Sequence, residues 1–425
     1  MVILSYVIAF FVRFSGVPPE NNMEPFLASL PLISLSFLAY SDIFGLLNFS
    51  RKTRRQIIAS IFKLVFMQAL TTTSITFFLR GFSFPRSVLI GSAAIQAALL
   101  SCWNGVMLAV RSRLAKVSDA LIIGSANNSA AVANILSHMT KTEKINIKYV
   151  FEPGEKKKYN GIIKKSLVDA VFVCAGLSED LKMEILLHCM NYRKEVFLIP
   201  EVFEIALVNA DVIHLDETPV IHLDTYSLSF EQRLFKRLFD LAATLAALPL
   251  LLPFFAVIAA GVKLSSKGRV FYSQDRVTSG GRIYKIYKFR TMYEGAESLT
   301  GPVLASEGDE RVTPYGGILR RYHLDELPQL INVLKGEMSL VGPRSERPYF
   351  AERFSRDING YDIRNNVKAG LTGYAQIFGN YGTEAELKLK YDILYINNYS
   401  LLLDIKLIFQ TIDTIIKGGR KRQGG

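Results

Sequence analysis

Cysteine is scarce in this 425-residue chain, and the little there is stands unpaired. Cys102, Cys174 and Cys189 form no C-x-x-C pair and have no histidine at zinc spacing. That argues against a disulfide framework or a zinc site and reads as buried thiols in a reducing compartment. A dinucleotide fingerprint is missing too. The turn from Gly124 to Ala130 (GSANNSA) keeps only the first glycine of G-x-G-x-x-G, and no acidic residue follows at the ribose position. Nucleotide binding is not expected there. No nucleic-acid motif emerges, so the formal charge of +12 is read as contact with anionic lipid or phosphorylated substrates, with no nucleic-acid partner. The N-terminal apolar run lacks a basic n-region, so no cleavable signal peptide is expected.

Apolar residues, by contrast, make up 50% of the chain and are unevenly spread. Four apolar runs, Val2–Val12, Phe26–Leu47, Ile57–Leu79 and Val88–Val110, fill the first part. The last three are long enough to cross a hydrocarbon core of about 30 Å. The first is short and begins at the initiating Met, which leaves open whether it is a full span. Arg51, Lys52, Arg54 and Arg55, and then Arg111, Arg113 and Lys116, follow the second and fourth runs. The positive-inside rule puts both clusters in the cytoplasm. Residues 1–116 therefore read as a four-span transmembrane bundle, with everything after it cytoplasmic.

Strand-like runs Asp119–Gly124, Ile145–Phe151, Ala170–Cys174 and Val196–Pro200 then alternate with helical Ala130–His138 and Lys182–Tyr192. This predicts a small Rossmann-like α/β domain over 117–225, with Glu155–Asn160 as a solvated loop. After a polar linker, Leu223–Phe230, residues 236–264 form an apolar helix, uncharged from Leu241 to Val262 and interrupted by Pro249 and Pro253. Two interior prolines predict a kink. Basic residues flank both ends (Lys236, Arg237, Lys263, Lys267, Arg269), which suits a re-entrant helix that returns to the cytoplasmic face better than a straight crossing.

Chemistry concentrates further on. Asp325 and Glu326 stand side by side, with Leu324, Leu327, Leu330, Ile331, Val333 and Leu334 at helical spacing around them. With Pro328 tolerated in a first turn, the helix is predicted to begin near Leu324, putting both carboxylates at its N-terminus. Gln274, Arg276, Lys288, Arg290, Arg320, Arg321 and Arg344 supply cations and polar groups around this pair. Strand alternation puts Lys288 and Arg290 on one face. An acidic pair among arginines suits a phosphate ester and a divalent cation. Helix-capping carboxylates balanced by a solvated basic surface would leave the same residues in the sequence.

The motifs KRLFD, YSQDRV, YKFRTM, LDELPQLINVLKGEMSLVGPR, GLTGYAQ and LKYDILYINNYSLLLDIKLI run from about Phe235 to Ile416. Together they resemble the bacterial sugar transferases, the monotopic polyprenyl-phosphate phosphoglycosyl transferases. The N-terminal bundle and α/β domain resemble the large-form members that start exopolysaccharide, capsule or O-antigen synthesis. Departures are Ser345 where a second proline is frequent, Ala369 before Gly370, and His323 in place of Ser or Thr.

The resemblance implies a fold and an activity. The fold would be a membrane protein, α plus α/β, with an α+β catalytic domain over 231–425. The activity would be transfer of a sugar 1-phosphate from a UDP-sugar to polyprenyl (undecaprenyl) phosphate, with release of UMP and use of Mg²⁺. It implies Asp325 as nucleophile, Glu326 as metal neighbour or proton carrier, and both as metal ligands. It further implies a homodimer, in the bacterial inner membrane with the catalytic domain on the cytoplasmic face. A catalytically inactive scaffold of polysaccharide assembly is the rival from another class. Leu401–Ile416 reads either as an interfacial helix or as one packed on the core, and GGRKRQGG as a basic tail.

Overall fold

The structure, a computed structural model, describes residues 1–16, 18–47, 54–79, 85–114, 118–139, 145–208, 210–215, 218–222, 226–296, 309–379 and 384–416. Arg51, Lys52, Lys116 and the basic tail lie outside them, as does part of the linker Leu223–Phe230. The chain divides into two compact units, 1–200 and 201–425.

The first unit opens with α1 (Val2–Phe14), α2 (Glu20–Ile43), α3 (Arg54–Phe78) and α4 (Arg86–Leu114). The latter three are long and apolar enough to cross a membrane, whereas α1, with 13 residues, is shorter. Phe10, Phe26, Ile33 and Val88 pack inside the bundle. Polar side chains bond across it: Gln68 Nε2 donates to Ile33 O (3.1 Å) and Tyr6 Oη to Thr72 Oγ1 (2.9 Å), the cross-links that serve where water is absent. Only 28, 33 and 17% of the apolar windows of α2, α3 and α4 is buried. So large an outward apolar surface requires lipid around it, and the chain is a membrane protein.

The same unit continues with β1 (Ser118–Ile123), α5 (Ala126–Met139), β2 (Ile145–Phe151), α6 (Lys156–Lys164), β3 (Ala170–Val173), α7 (Glu179–Asn191) and β4 (Glu195–Leu198). The strands form a parallel sheet in the order β2-β1-β3-β4. Leu121, Ile123, Val171 and Val173 pack against α6 and α7 on one face. Ala120, Ile122 and Phe172 pack against Val132 of α5 on the other. The expected loop at Glu155–Asn160 is instead the start of α6. Tyr159 and Ile163, four residues apart, are both buried, and that spacing outweighs the local run of lysines.

The second unit contains α8 (Val202–Ala206) and the hairpin β5 (Asp211–Leu215)–β6 (Thr218–His222). Next is α9 (Phe230–Ser265), 36 residues started by a Ser229–Gln232 capping box. Both Pro249 and Pro253 lie inside this one helix. Hairpin β7 (Phe271–Val277)–β8 (Ile283–Phe289) turns at Gly280 and Gly281, both at positive φ. Then come α10 (Pro314–Arg321), a 3₁₀ turn Leu324–Gln329, α11 (Leu330–Lys335) and β9 (Ser339–Val341). The unit closes with α12 (Pro348–Asp357), β10 (Gly370–Thr372), α13 (Tyr374–Phe378), α14 (Ala385–Asn397) and α15 (Leu401–Ile416). Its main core joins Tyr284 and Ile286 of β8, Leu330 and Val333 of α11, and Tyr395 and Leu407 of α14 and α15. Of the two readings of Leu401–Ile416, core packing holds for the face with Asp404 and Leu407, while Leu401, Leu402 and Ile412 are exposed.

Candidate active site

The carboxylates are not at an α-helix N-terminus as the spacing predicted. They lie in the 3₁₀ turn, and α11 begins only at Leu330. Pro328 has no N–H to give an α-helical ladder, and the turn closes instead by an i+3 bond from Glu326 N to His323 O (3.3 Å). His323 enters it at φ 53°, a left-handed conformation that histidine adopts more readily than most residues.

Both carboxylates are buried, yet their surroundings differ. Glu326 Oε1 accepts from Lys288 Nζ at 2.7 Å and from Arg344 Nη2 at 2.8 Å; Oε2, among the described residues, keeps only a 3.5 Å bond from Arg344 Nη1. Burial alone would raise the Glu326 pKa, but the charges of Arg344 and Lys288 outweigh it and hold the group well below the usual range. Among the described residues nothing donates a hydrogen bond to the Asp325 side chain. Burial, then the adjacent Glu326 charge, push its pKa up against Lys288, Arg320 and His323.

Hairpin register explains which cations meet here. Directly opposed residues of an antiparallel pair share a face, and Tyr272–Lys288, Gln274–Ile286 and Arg276–Tyr284 are opposed. Gln274, Arg276 and Lys288 therefore look the same way. A small pocket is lined by Arg276, Lys288, Glu326, Gln329, Arg344 and Ser345, among others. Arg276 is tied in place by bonds to Ser345 O (3.0 Å) and Gln274 Oε1 (2.8 Å). Burial and the nearby Arg344 charge push its pKa down, and its buried Nε has no partner among the described residues. Cations crowded against one carboxylate, with a donor left over, form a site for an anion.

Arg290 is not part of this group. Strand β8 ends at Phe289, and the Arg290 guanidinium turns away to Lys267 O (2.8 Å), Ser266 O (2.8 Å) and Ser266 Oγ (2.9 Å). Alternation failed there because it applies only while the strand lasts. Arg320 donates Nε to Thr291 Oγ1 (2.8 Å) and acts on Asp325 by charge, whereas Arg321 is exposed beside the Tyr322 ring. Gln329 was not foreseen. It stands three residues after Glu326, and in a 3₁₀ turn such residues eclipse, so the spacing was readable once the turn type was known.

Glycines set the turn that carries Arg344. A Cβ on Gly370 would stand 2.1 Å from Gly342 N, and one on Gly373 2.1 Å from Gly342 O. Main chain thus packs on main chain, and parallel pairing of β9 with β10 becomes possible.

The donor set suits a hard cation completed by substrate. Among the described residues the Asp325 side chain accepts no hydrogen bond, and Glu326 Oε2 is weakly engaged. Mg²⁺ is commonly held by one or two carboxylates plus substrate phosphates. Among the described residues no group of three His, Cys, Asp or Glu side chains forms a protein-only cage.

A sequence model described as bacterial sugar transferase matches residues 231–418, the stretch that builds this site. An exopolysaccharide production protein PSS of Rhizobium leguminosarum bv. phaseoli is 35% identical over 193 residues, 44% of this chain and 96% of that one. The chain belongs to the bacterial sugar transferase family. Longer family relatives match as well. A UDP-N-acetylgalactosamine-undecaprenyl-phosphate N-acetylgalactosaminephosphotransferase of Aeromonas hydrophila is 38% identical over 236 residues, 55% of each chain. A UDP-glucose:undecaprenyl-phosphate glucose-1-phosphate transferase of Escherichia coli K12 is 36% identical over 255 residues, 59% of this chain and 55% of that one. The match spans about half the length of these two transferases.

Proposed function

We propose that the chain is a phosphoglycosyl transferase that moves a sugar 1-phosphate from a UDP-sugar to polyprenyl (undecaprenyl) phosphate. UMP and a polyprenyl-diphosphate-sugar are the products, and the step opens exopolysaccharide, capsule or O-antigen synthesis. The observation that carries this reading is the split between neighbours: Asp325, buried and given no hydrogen bond to its side chain by any described residue, beside Glu326, clamped by Lys288 and Arg344. An unclamped carboxylate of raised basicity is the better nucleophile.

An Asp325 oxygen attacks the β-phosphorus of the UDP-sugar. The bond to the bridging oxygen breaks, and UMP leaves with the electron pair. The phosphosugar is then held on Asp325 as an acyl phosphate until an oxygen of the lipid phosphate attacks the same phosphorus and the carboxylate departs. Arg344, Lys288 and Arg276 neutralise the oxygens that gain charge. Asp325 and Glu326 would hold Mg²⁺, which when bound supplies further charge neutralisation at the diphosphate.

We further propose that α9 is re-entrant and the catalytic domain cytoplasmic. What supports this is that residues before Pro249 (Phe239, Ala243) and after Pro253 (Phe255, Ile258, Val262) pack on the same unit, while Leu245, Leu250, Leu252 and Phe254 are exposed. A spanning helix would carry its two ends to opposite sides. A Rossmann-like ancestry for the parallel sheet and homodimerisation through that domain belong to the same reading; a single-copy mass in detergent would remove the dimer.

The test is UMP release from a panel of UDP-sugars with undecaprenyl phosphate and Mg²⁺. The native chain should release UMP and, before lipid is added, carry a trapped phosphosugar; Asp325→Asn should do neither. Release by both would remove Asp325 from the nucleophile's place.

A further inference from the structure

The segment Lys236-Arg237-Leu238-Phe239-Asp240 takes no part in the chemistry above, yet its three charged side chains reach three pieces of the site's frame. Arg237 Nη1 and Nη2 donate to Val333 O (2.5 Å) and Leu334 O (2.7 Å). Both carbonyls belong to the last turn of α11, where a helix runs out of N–H donors of its own, and Val333 O also accepts from the capping Gly336 N–H at 3.0 Å. Because α11 follows directly on the 3₁₀ turn with Asp325 and Glu326, Arg237 grips the far end of the rod that carries both carboxylates.

One turn along α9, buried Asp240 accepts the Leu340 N–H through Oδ1 (3.1 Å). Leu340 is the middle residue of β9, four before Arg344. The same strand has a second hold. Lys236 Nζ donates to Asp404 Oδ2 (2.5 Å), Tyr395 Oη donates to Asp404 Oδ1 (2.8 Å), and that hydroxyl also lies 3.2 Å from Val341 O. Lys236, Asp240, Tyr395 and Asp404 are all buried. The two arms, rod and strand, meet again where Arg344 bonds Glu326.

Anchoring a membrane helix to a domain needs only apolar contact, and burying charges costs stability unless each is paired. Buried ionic groups have their best-attested use in fixing register. We propose that Arg237 and Asp240 are positioning residues. Helix α9 is the frame that sets the carboxylate rod and the Arg344 turn against each other, so the seating of the membrane helix fixes the Glu326–Arg344 geometry. The activity readouts of this inference rest on the transferase reading; the exchange readout does not.

The test compares the native chain with Asp240→Ala, Asp240→Asn, Arg237→Gln, Arg344→Lys and the double variant Asp240→Ala/Arg344→Lys. Asp240→Ala should lower kcat about 10-fold with KM for the UDP-sugar unchanged. The double variant should fall within about 2-fold of Arg344→Lys alone, because both act through one contact. Asp240→Asn, which keeps a carbonyl acceptor, should stay within about 3-fold of native. Additive losses, or a loss confined to KM, would overturn the proposal. Amide hydrogen exchange in detergent decides it without any sugar. Exchange across 339–344 should quicken in Asp240→Ala and across 326–335 in Arg237→Gln, and unchanged protection overturns it. If the native chain releases no UMP from any donor, the transferase reading fails while exchange still judges the frame. If Asp240→Ala does not fold, Arg237→Gln and Asp240→Asn carry both measurements.

Discussion

Arg344 Nη2 lies 2.8 Å from Glu326 Oε1, on the same oxygen that Lys288 reaches at 2.7 Å. Two cations on one oxygen fix which of two adjacent carboxylates stays ionised. Glu326 is held down and keeps its charge into acid; Asp325 is pushed up and gives its charge away first.

A trade of stability for activity follows at Asp325. Its folded pKa lies above the ordinary 3.8, so the folded state binds the proton more tightly than the unfolded one. Stability therefore falls as pH rises from about 4 through the folded value, and at neutral pH the ionised group is a burden. Asp325→Asn should abolish transfer yet raise the melting temperature by about 2 °C or more at pH 7. Differential scanning fluorimetry in detergent checks this, and a lower melting point would refute it. The acidic limb of the native pH–rate profile should likewise track Asp325, activity rising as that carboxyl ionises.

The opposite sign holds at Glu326. Its depressed pKa gives stability that is present above about 4.5 and is lost as pH falls through the folded value. Glu326→Gln should destabilise by about 1–3 kcal/mol at pH 7 by stranding Lys288 and Arg344. The lower end is expected because Arg344 is 37% exposed. Denaturant titrations at pH 7 and in acid should show the gap between variant and native narrowing.

Arg290 should behave as a structural residue. Arg290→Met removes three hydrogen bonds to the Ser266–Lys267 segment and should cost about 1–3 kcal/mol, with KM for the UDP-sugar unchanged. A selective rise in KM would return Arg290 to the phosphate group.

Gly370→Ala should be severe. Its methyl would meet Gly342 N at 2.1 Å, and main chain cannot rotate away as a side chain can. Loss of folded protein, or a kcat reduced at least about 10-fold in what folds, is the expected outcome. A variant indistinguishable from native in both would contradict the close approach.

Much of this was readable before any coordinates. The parallel strands from Ser118 to Leu198 were legible because buried runs such as Ala170–Val173 are bounded by turns, and the hairpin because Gly280-Gly281 separates alternating residues. Local reading failed where distance decided. Arg290 sits two residues from Lys288, but the strand's end sends it to the end of α9. The lysines before Tyr159 read as loop until burial of Tyr159 and Ile163 showed a helix. The Asp240–Leu340 and Lys236–Asp404 bonds were beyond reach, since each joins residues 100 or more positions apart. Gln329 needed the 3₁₀ turn to be known first.

Three glycines, Gly342, Gly370 and Gly373, leave the Arg344 turn with no side chain of its own between two stretches of backbone. A seam of that kind cannot be retuned by exchanging one residue for a slightly larger or smaller one. Any retuning of the pocket would have to begin away from that seam, on the hairpin at positions such as Gln274, whose Oε1 holds the pocket-lining Arg276.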